Sequence, residues 1–321
     1  MSNFLALKVL ASAVSPSGKR ACLSTLIFHR VLSVPDPIRP LEIDSTTFRW
    51  MVSVLASNFN VLPLSIAAQH LISGTLPDRA ACITFDDGYA DNVEVALPIL
   101  SEFKLPATFF IAPGFLDGGR MWNDTVIEAV RCLPTGNLDL SHRNLGVHNI
   151  RSIDDRIELI NFLLKKLKYL DPVQRDEEAF MIAEIAKATL ADNLMMSTIQ
   201  VQTLFESGME IGAHTVNHPI LSKINAGKAR HEIAESKEML QEIVGNKITL
   251  FAYPNGKPGQ DYEQGHVEMV RGLGFTAAVS TAWGVGRAQS DIFQLPRFTP
   301  WDTTPRRFMM RLLWNCWHSG V

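Results

Sequence analysis

The 321-residue chain predicts an α/β fold in which parallel strands are covered by helices on both faces. Three observations predict it. Short apolar runs rich in β-branched and aromatic residues recur along the chain. Each is followed by polar or glycine-rich residues, and most are separated by stretches with apolar residues at helical spacing. Seven such runs in βα alternation fit either a barrel or an open doubly wound sheet. A hydrophobic content of 46% against 20% charged residues supplies the core such a fold needs.

In chain order, the first strand candidate is LSTLIFH (23–29). A helix over STTFRWMVSVLASNF (45–59), a strand at AACITFD (80–86), a helix over YADNVEVALPILSEF (89–103) and a strand at ATFFIA (107–112) follow. The rhythm then breaks. Between about 114 and 197 no strand is expected, and residues 153–190 place apolar side chains at helical spacing with mixed charges opposite. This reads as an inserted helical subdomain on the loop after the third strand, its charge runs being solvated helix faces. The alternation resumes with a helix over TIQVQTLFESG (198–208), a strand at MEIGAH (209–214), a helix over 225–245, and strands at ITLFAY (248–253), FTAAVS (275–280) and FQLPRF (293–298). Ser207-Gly208 and Gly245 stand where helix C-caps are expected. Residues 1–22 read as an N-terminal extension and 301–321 as a closing helical segment. The mixed arginines and large apolar residues of that segment also leave open attachment to an anionic membrane surface.

A formal net charge of −3 gives no general electrostatic basis for nucleic-acid binding. The four cysteines, Cys22, Cys82, Cys132 and Cys316, form no CxxC pair. They argue against a cysteine zinc site or a disulfide scaffold and toward a reducing compartment. Lys8 interrupts the apolar N-terminal stretch, and no run approaches the length that crosses a bilayer. The expected location is cytoplasmic, with peripheral membrane contact left open.

In barrels and open α/β sheets alike, catalytic groups sit where strands end at the carboxyl side. The polar residues at those ends are His29, Asp86, Asp87, His214, His218, Asn255 and Arg297. His214 and His218 are four apart, and Pro219 disfavours the α region at His218, so the pair belongs on a strand-to-helix loop. Two imidazoles and one carboxylate form the three-ligand set of a catalytic zinc or similar ion. If one aspartate of the Asp86-Asp87 pair binds a divalent cation, its neighbour is free to act as a base. Gly88 then permits the sharp turn into the next helix. The plainer alternative is that both acids cap that helix, which explains one aspartate better than two.

At this point the residues match a family. TFDDGY (84–89), HTVNHP (214–219) and FAYPNG (251–256) resemble the three motifs of the polysaccharide deacetylases, carbohydrate esterase family four. LPATFFIAPGFL and ESGMEIGAHT supply similar context, and the resemblance spans roughly residues 23–300 apart from the insertion. It implies a distorted (β/α)7 barrel that hydrolyses N-acetyl, sometimes O-acetyl, groups on sugars with one divalent metal ion, zinc in the first place. It implies Asp87, His214 and His218 as metal ligands and Asp86 as the base that takes a proton from the attacking water. It also implies the backbone N–H of Asn255 as an oxyanion donor, with Tyr253 and Pro254 as neighbouring substrate contacts.

The sequence departs from the family in two places. Where many members carry an arginine two residues before the third-motif proline, this chain has Ala252. Arg297 is the residue expected to take over the pairing with Asp86, against the alternative of a plain structural ion pair. The late leucine-and-histidine motif that supplies the general acid is not evident, and His318 stands too near the terminus to replace it. LIFHRVL resembles the first strand of a branch whose acid histidine comes from the start of the chain, which makes His29 the candidate, against a structural histidine closing a strand. Trp122, next to Asn123, either stacks on a sugar ring or packs the inserted helices. His70, His142, His148, His231 and His266 are expected at the surface. The expected substrate is an N-acetylated saccharide, or a lipid-linked sugar precursor for a cytoplasmic enzyme. Two further functions stay open: a carbohydrate-binding protein that has lost turnover, and a metal amidohydrolase for a non-sugar amide.

Overall fold

In the computed structural model, which describes residues 2–318 and the side chains of residues 8–317, apolar runs and helical stretches alternate as strands and helices. Helix α1 (Ser2–Val14) precedes β1 (Leu23–Phe28) and a short parallel pair, β2 (Val31–Leu32) and β3 (Ile43–Asp44). Then come α2 (Ser45–Asn58), β4 (Asn60–Val61), α3 (Leu64–Ser73), β5 (Ala80–Phe85), α4 (Leu97–Phe103) and β6 (Thr108–Ile111). The insertion contains α5 (Trp122–Cys132), β7 (Gly136–Asp139), β8 (Val147–Ile150), α6 (Ile153–Leu167) and α7 (Pro172–Ile185). The chain returns through α8 (Thr198–Glu206), β9 (Glu210–Ala213), α9 (Ala226–Val244), β10 (Leu250–Ala252), α10 (Gln264–Gly272), β11 (Ala277–Val279) and α11 (Pro305–His318).

The helices begin where the sequence offers a cap. Asp44 accepts the Thr47 N–H at 2.8 Å to start α2, and Ser152 and Asp155 form a capping box on α6. Asp171 caps α7 with Pro172 in its first turn, while Asn225 opens α9 and left-handed Gly245 closes it. The helix expected over 89–103 is split: a π-helical turn at Asn92–Ala96 leads into α4. Pro98 is the physical reason, since it has no N–H for the carbonyl of Glu94 and its ring crowds that position.

The main sheet is parallel, in the order β1-β5-β6-β9-β10-β11, with β4 paired to the start of β5. The seventh expected strand, 293–298, is not a regular strand. Pro296 interrupts its donors, and only two parallel bridges form, Leu295 to Val279 and Phe298 to Leu26. Those bridges join β11 back to β1 and close a distorted (β/α)7 barrel. One face of the strands meets the outer helices, where Phe85 stacks between Phe28 and Phe109 at centroid distances of 5.4 and 4.7 Å. The opposite face carries Leu23, Cys82, Phe110, Ala252 and Val279, with Leu64, Ala67 and Leu71 of α3 packed against that cluster. Fully burying a large apolar side chain is worth about 1.5–3 kcal/mol, so this two-sided burial explains why the strands read as continuous apolar runs.

The insertion has its own core, built from Val126, Val130, Leu159, Leu163 and Ile182 among others. It also contains what the sequence did not lead us to expect, an antiparallel hairpin of β7 and β8. Only Leu138 and Ile150 of that hairpin are buried, too few apolar residues to give an alternating signal. His266 is also a correction: it is buried, and its Nδ1 accepts the Glu263 N–H at 3.0 Å. Among the described residues, no helix is long and apolar enough to cross a membrane.

Candidate active site

Each motif sits on a sharp turn at the carboxyl end of a barrel strand. The TFDDG turn follows β5, with Asp87 at φ 77° and Gly88 at φ 95°. A side chain on Gly88 would be strained at that φ and would also press on Ile111 at 3.0 Å. Thr215 and His218 follow β9 at φ 60° and 50°, and Asn255 follows β10 at φ 59°. Left-handed backbone at non-glycine residues costs on the order of 1–3 kcal/mol each and persists where the surroundings fix it. Glu232 on α9 does part of that fixing: its carboxylate accepts the N–H groups of Val216 and Asn217 at 2.9 and 2.8 Å, and the Asn217 side-chain amide at 2.9 Å.

These turns bring together residues from distant points of the chain. His214 Nδ1–H donates to the Ala252 carbonyl at 2.8 Å, which turns the Nε2 lone pair toward Asp87. Asp87 Oδ1 lies 3.5 Å from His214 Nε2 and 3.4 Å from His218 Nε2. Oδ1 is buried and has no hydrogen-bond partner, an expensive state for a carboxylate oxygen unless something positive meets it. Ligand atoms about 2.1 Å from a tetrahedral ion stand about 3.4 Å apart, which is the spacing found here. One donor atom from each of the three residues lies within 4.8 Å of the other two. The donor set therefore fits a divalent cation.

Asp86 points elsewhere. Its two oxygens accept Nη1 and Nη2 of Arg297, both at 2.7 Å, in a buried bidentate pair, and Oδ2 also lies 3.9 Å from His214 Nε2. Arg297 also donates to the Ser280 carbonyl at 3.0 Å and to Thr84 Oγ1 at 3.1 Å. The guanidinium expected from the third motif thus arrives from the irregular seventh stave. Among the described side chains, neither Asp86 nor Asp87 caps the following helical turn.

The electrostatics follow from burial and neighbours. Burial pushes Asp86 up, but Arg297 and His214 outweigh it and hold the carboxyl below its usual range. Asp87 is likewise raised by burial and then pulled well below that range by His218 and His214. Burial works against protonation of His214, yet Asp86 and Asp87 raise it above its ordinary value. For His218 burial wins, and its value falls to about 4.

A cavity of about 550 Å3 opens above these groups, lined on the barrel side by His29, Asp87, His218 and Asn255, and on the insertion side by Trp122. His29 thus shares the cavity with the metal-ligand set. Trp122 lies under the Arg175 guanidinium, 5.1 Å from its ring centroid, and packs against the insertion core, as the second expectation for it had it, while also lining the cavity. Tyr253 is a correction. It is fully buried and stacked on Tyr262 at 3.8 Å, part of the wall and not of the cavity, and Pro254 is buried beside it. Two features escaped the sequence reading. Glu232 sits mid-helix with no local signal of its role, and Lys165, Lys168 and Arg175 of the insertion, read as solvated faces, line the cavity.

The family model described as polysaccharide deacetylase matches residues 73–134 and 162–278, over half of the chain. YxkH of Bacillus subtilis is 20% identical over 287 residues, 89% of this chain and 74% of that protein. Among solved structures, the Streptococcus pyogenes deacetylase PplD in complex with acetate superposes with a TM-score of 0.62 at 17% identity, over 91% of this chain and 98% of that one. IcaB from Ammonifex degensii gives 0.60 at 20% identity, over 94% of this chain and 98% of that one.

Proposed function

Because the chain belongs to the polysaccharide deacetylase family, and so is a hydrolase of carbon–nitrogen bonds outside peptides, we propose that it removes acetyl groups from an N-acetylated saccharide or saccharide precursor. We assign Asp87, His214 and His218 as ligands of a divalent ion. Two imidazoles and a carboxylate suit zinc. The single observation that carries the reading is the orphaned Asp87 Oδ1, held at ligand-to-ligand spacing from two imidazole nitrogens.

An ion held there supplies Lewis-acid polarisation and lowers the pKa of water toward neutrality. The chain's own groups do the rest. Asp86, kept ionised by Arg297, accepts the proton of the attacking water on its remaining lone pairs. Arg297 keeps both carboxylate oxygens in one orientation, in place of the arginine that Ala252 lacks. The backbone N–H of Asn255, at the edge of the cavity, stabilises charge on the carbonyl oxygen. His29, which also lines the cavity, hands a proton to the departing amine. Nothing at the site favours a binder that has lost turnover, since both acids and both imidazoles are in place.

The test is elemental analysis of the purified chain beside acetate release from a panel of acetamido sugars. Asp87→Ala, His214→Ala or His218→Ala loses the metal. Asp86→Asn keeps it and loses acetate release, and His29→Ala slows acetate release without touching metal content. Acetate release that survives both chelation and Asp87→Ala would end the metal assignment, and no release from any acetamido sugar by the loaded protein would end the deacetylase reading.

A further inference from the structure

The roof of the cavity carries charge that a neutral sugar does not need. Lys165 of α6, Lys168 at its C-cap and Arg175 of α7 all line it, whereas Asp87, assigned above to the metal together with two imidazoles, is the one carboxylate among its lining residues. Lys165 and Lys168 are three apart, neighbours on one helix face, where like charges repel. Among the described residues no carboxylate lies within ion-pair distance of either. Arg175 is only 6% exposed, stacks on Trp122 and meets Asp176 through Nε at 3.5 Å, a long contact to a mostly solvated carboxylate. The roof is also fastened to the barrel: Gln260, on the loop after β10, donates to Tyr169 Oη at 2.8 Å. A partly roofed cavity of about 550 Å3 is the size of a small-ligand site, not of a groove for a long polymer.

We propose that the insertion forms a phosphoryl-binding subsite above the catalytic cavity, so that the substrate is a short acetylated sugar carrying a phosphate or diphosphate. The sugar part rests on the deacetylase reading above; the anion part rests on Lys165, Lys168 and Arg175. A phosphoryl group offers up to two negative charges and three acceptor oxygens to two ammonium groups and a guanidinium fork. It relieves the repulsion between the lysines, and it anchors the sugar with its acetamido group toward the barrel floor. The same chemistry occurs in nucleotide-linked and in lipid-diphosphate-linked sugars.

Calorimetry on the metal-loaded full chain tests this with N-acetylglucosamine 1-phosphate against N-acetylglucosamine, using Asp86→Asn protein so that turnover does not interfere. The phosphorylated probe is expected to bind at least about tenfold tighter, the worth of one charge-assisted contact. Lys165→Met with Lys168→Met is expected to bring the ratio close to one, Lys165→Arg with Lys168→Arg to restore it, and added salt to narrow it. A ratio near one in the lysine-bearing protein, or a preference that survives in the methionine double variant, overturns the proposal. UDP-N-acetylglucosamine and a polyprenyl-diphosphate-linked N-acetylglucosamine in micelles form the second arm. Tighter binding of either identifies the source, and neither binding better than the neutral sugar overturns the subsite. Binding and acetate release separate the two readings. Phosphate-dependent binding without any acetate release keeps the subsite and refutes the deacetylase, while release from neutral sugars with no phosphate preference does the reverse.

Discussion

Replacing Arg297 by methionine strips Asp86 of both of its 2.7 Å partners while keeping an apolar stem of similar reach. Arg297 is 1% exposed and Asp86 2%, so water cannot take the guanidinium's place. Removing one member of a buried ion pair typically costs about 3–5 kcal/mol, because the other charge is left unpaired. The seventh stave also loses its bonds to Ser280 and Thr84. Urea unfolding of the metal-free protein at pH 7 is therefore expected to show a loss of about 3–5 kcal/mol. Asp86→Asn alone destabilises as well, but the double variant should lose much less than the sum, giving a coupling above about 1.5 kcal/mol.

The pH dependence carries a sign. In the parent protein the folded Asp86 titrates below its unfolded value of about 3.9. Its contribution is therefore present above that pH and lost as pH falls through the folded value. Without Arg297 the leading downward influence is gone and burial dominates, so the folded value rises above the unfolded one. Stability then falls as pH rises through the raised value, and the gap between Arg297→Met and the parent protein should shrink in acid. Additive single effects, coupled by less than about 0.5 kcal/mol, together with a gap that does not change with pH, would refute the account of this pair.

Three more predictions follow from the geometry. Glu232→Ala, which removes the acceptor of three N–H donors on the histidine loop, should weaken metal affinity about 10–100-fold, with Glu232→Gln restoring most of it; unchanged affinity in a chelator competition would remove Glu232 from the site. With His214 raised above its ordinary value and His218 at about 4, metal binding at about pH 5.5 should release about one proton, measurable by calorimetry in buffers of different ionisation enthalpy; release of none or two contradicts the opposite shifts. Gly212→Ala in β9 would drive a methyl group to 2.5 Å from the Phe110 ring and 3.2 Å from the Leu250 carbonyl, an overpacking expected to cost about 1–3 kcal/mol in urea unfolding, and a change under about 0.5 kcal/mol would mean the barrel yields there.

Strands buried on both faces write themselves as unbroken apolar runs, which is why β1, β5, β6, β9, β10 and β11 were legible along the chain. The motif residues were legible too, because their chemistry is unusual locally: two adjacent acids before a glycine, and two histidines four apart ahead of a proline. The β7–β8 hairpin was not, since two buried residues make no pattern. Tyr253 misled because its motif position faces the wall, and which way a side chain faces depends on what packs behind it, here Tyr262.

The sequence by itself determined the alternation of strands and helices, the insertion after the third strand and the kinds of groups that end the strands, since each rests on propensity, periodicity or composition within a short window. Only the tertiary structure decided that the expected pairing of Arg297 with Asp86 is a buried bidentate clasp across 211 positions of chain, that Glu232 steadies the histidine loop, and that Lys165, Lys168 and Arg175 line the cavity. Those pairings come from barrel closure and from the docking of the inserted helices. Neither leaves a local mark, because the energy of a buried charge depends on which distant group arrives beside it.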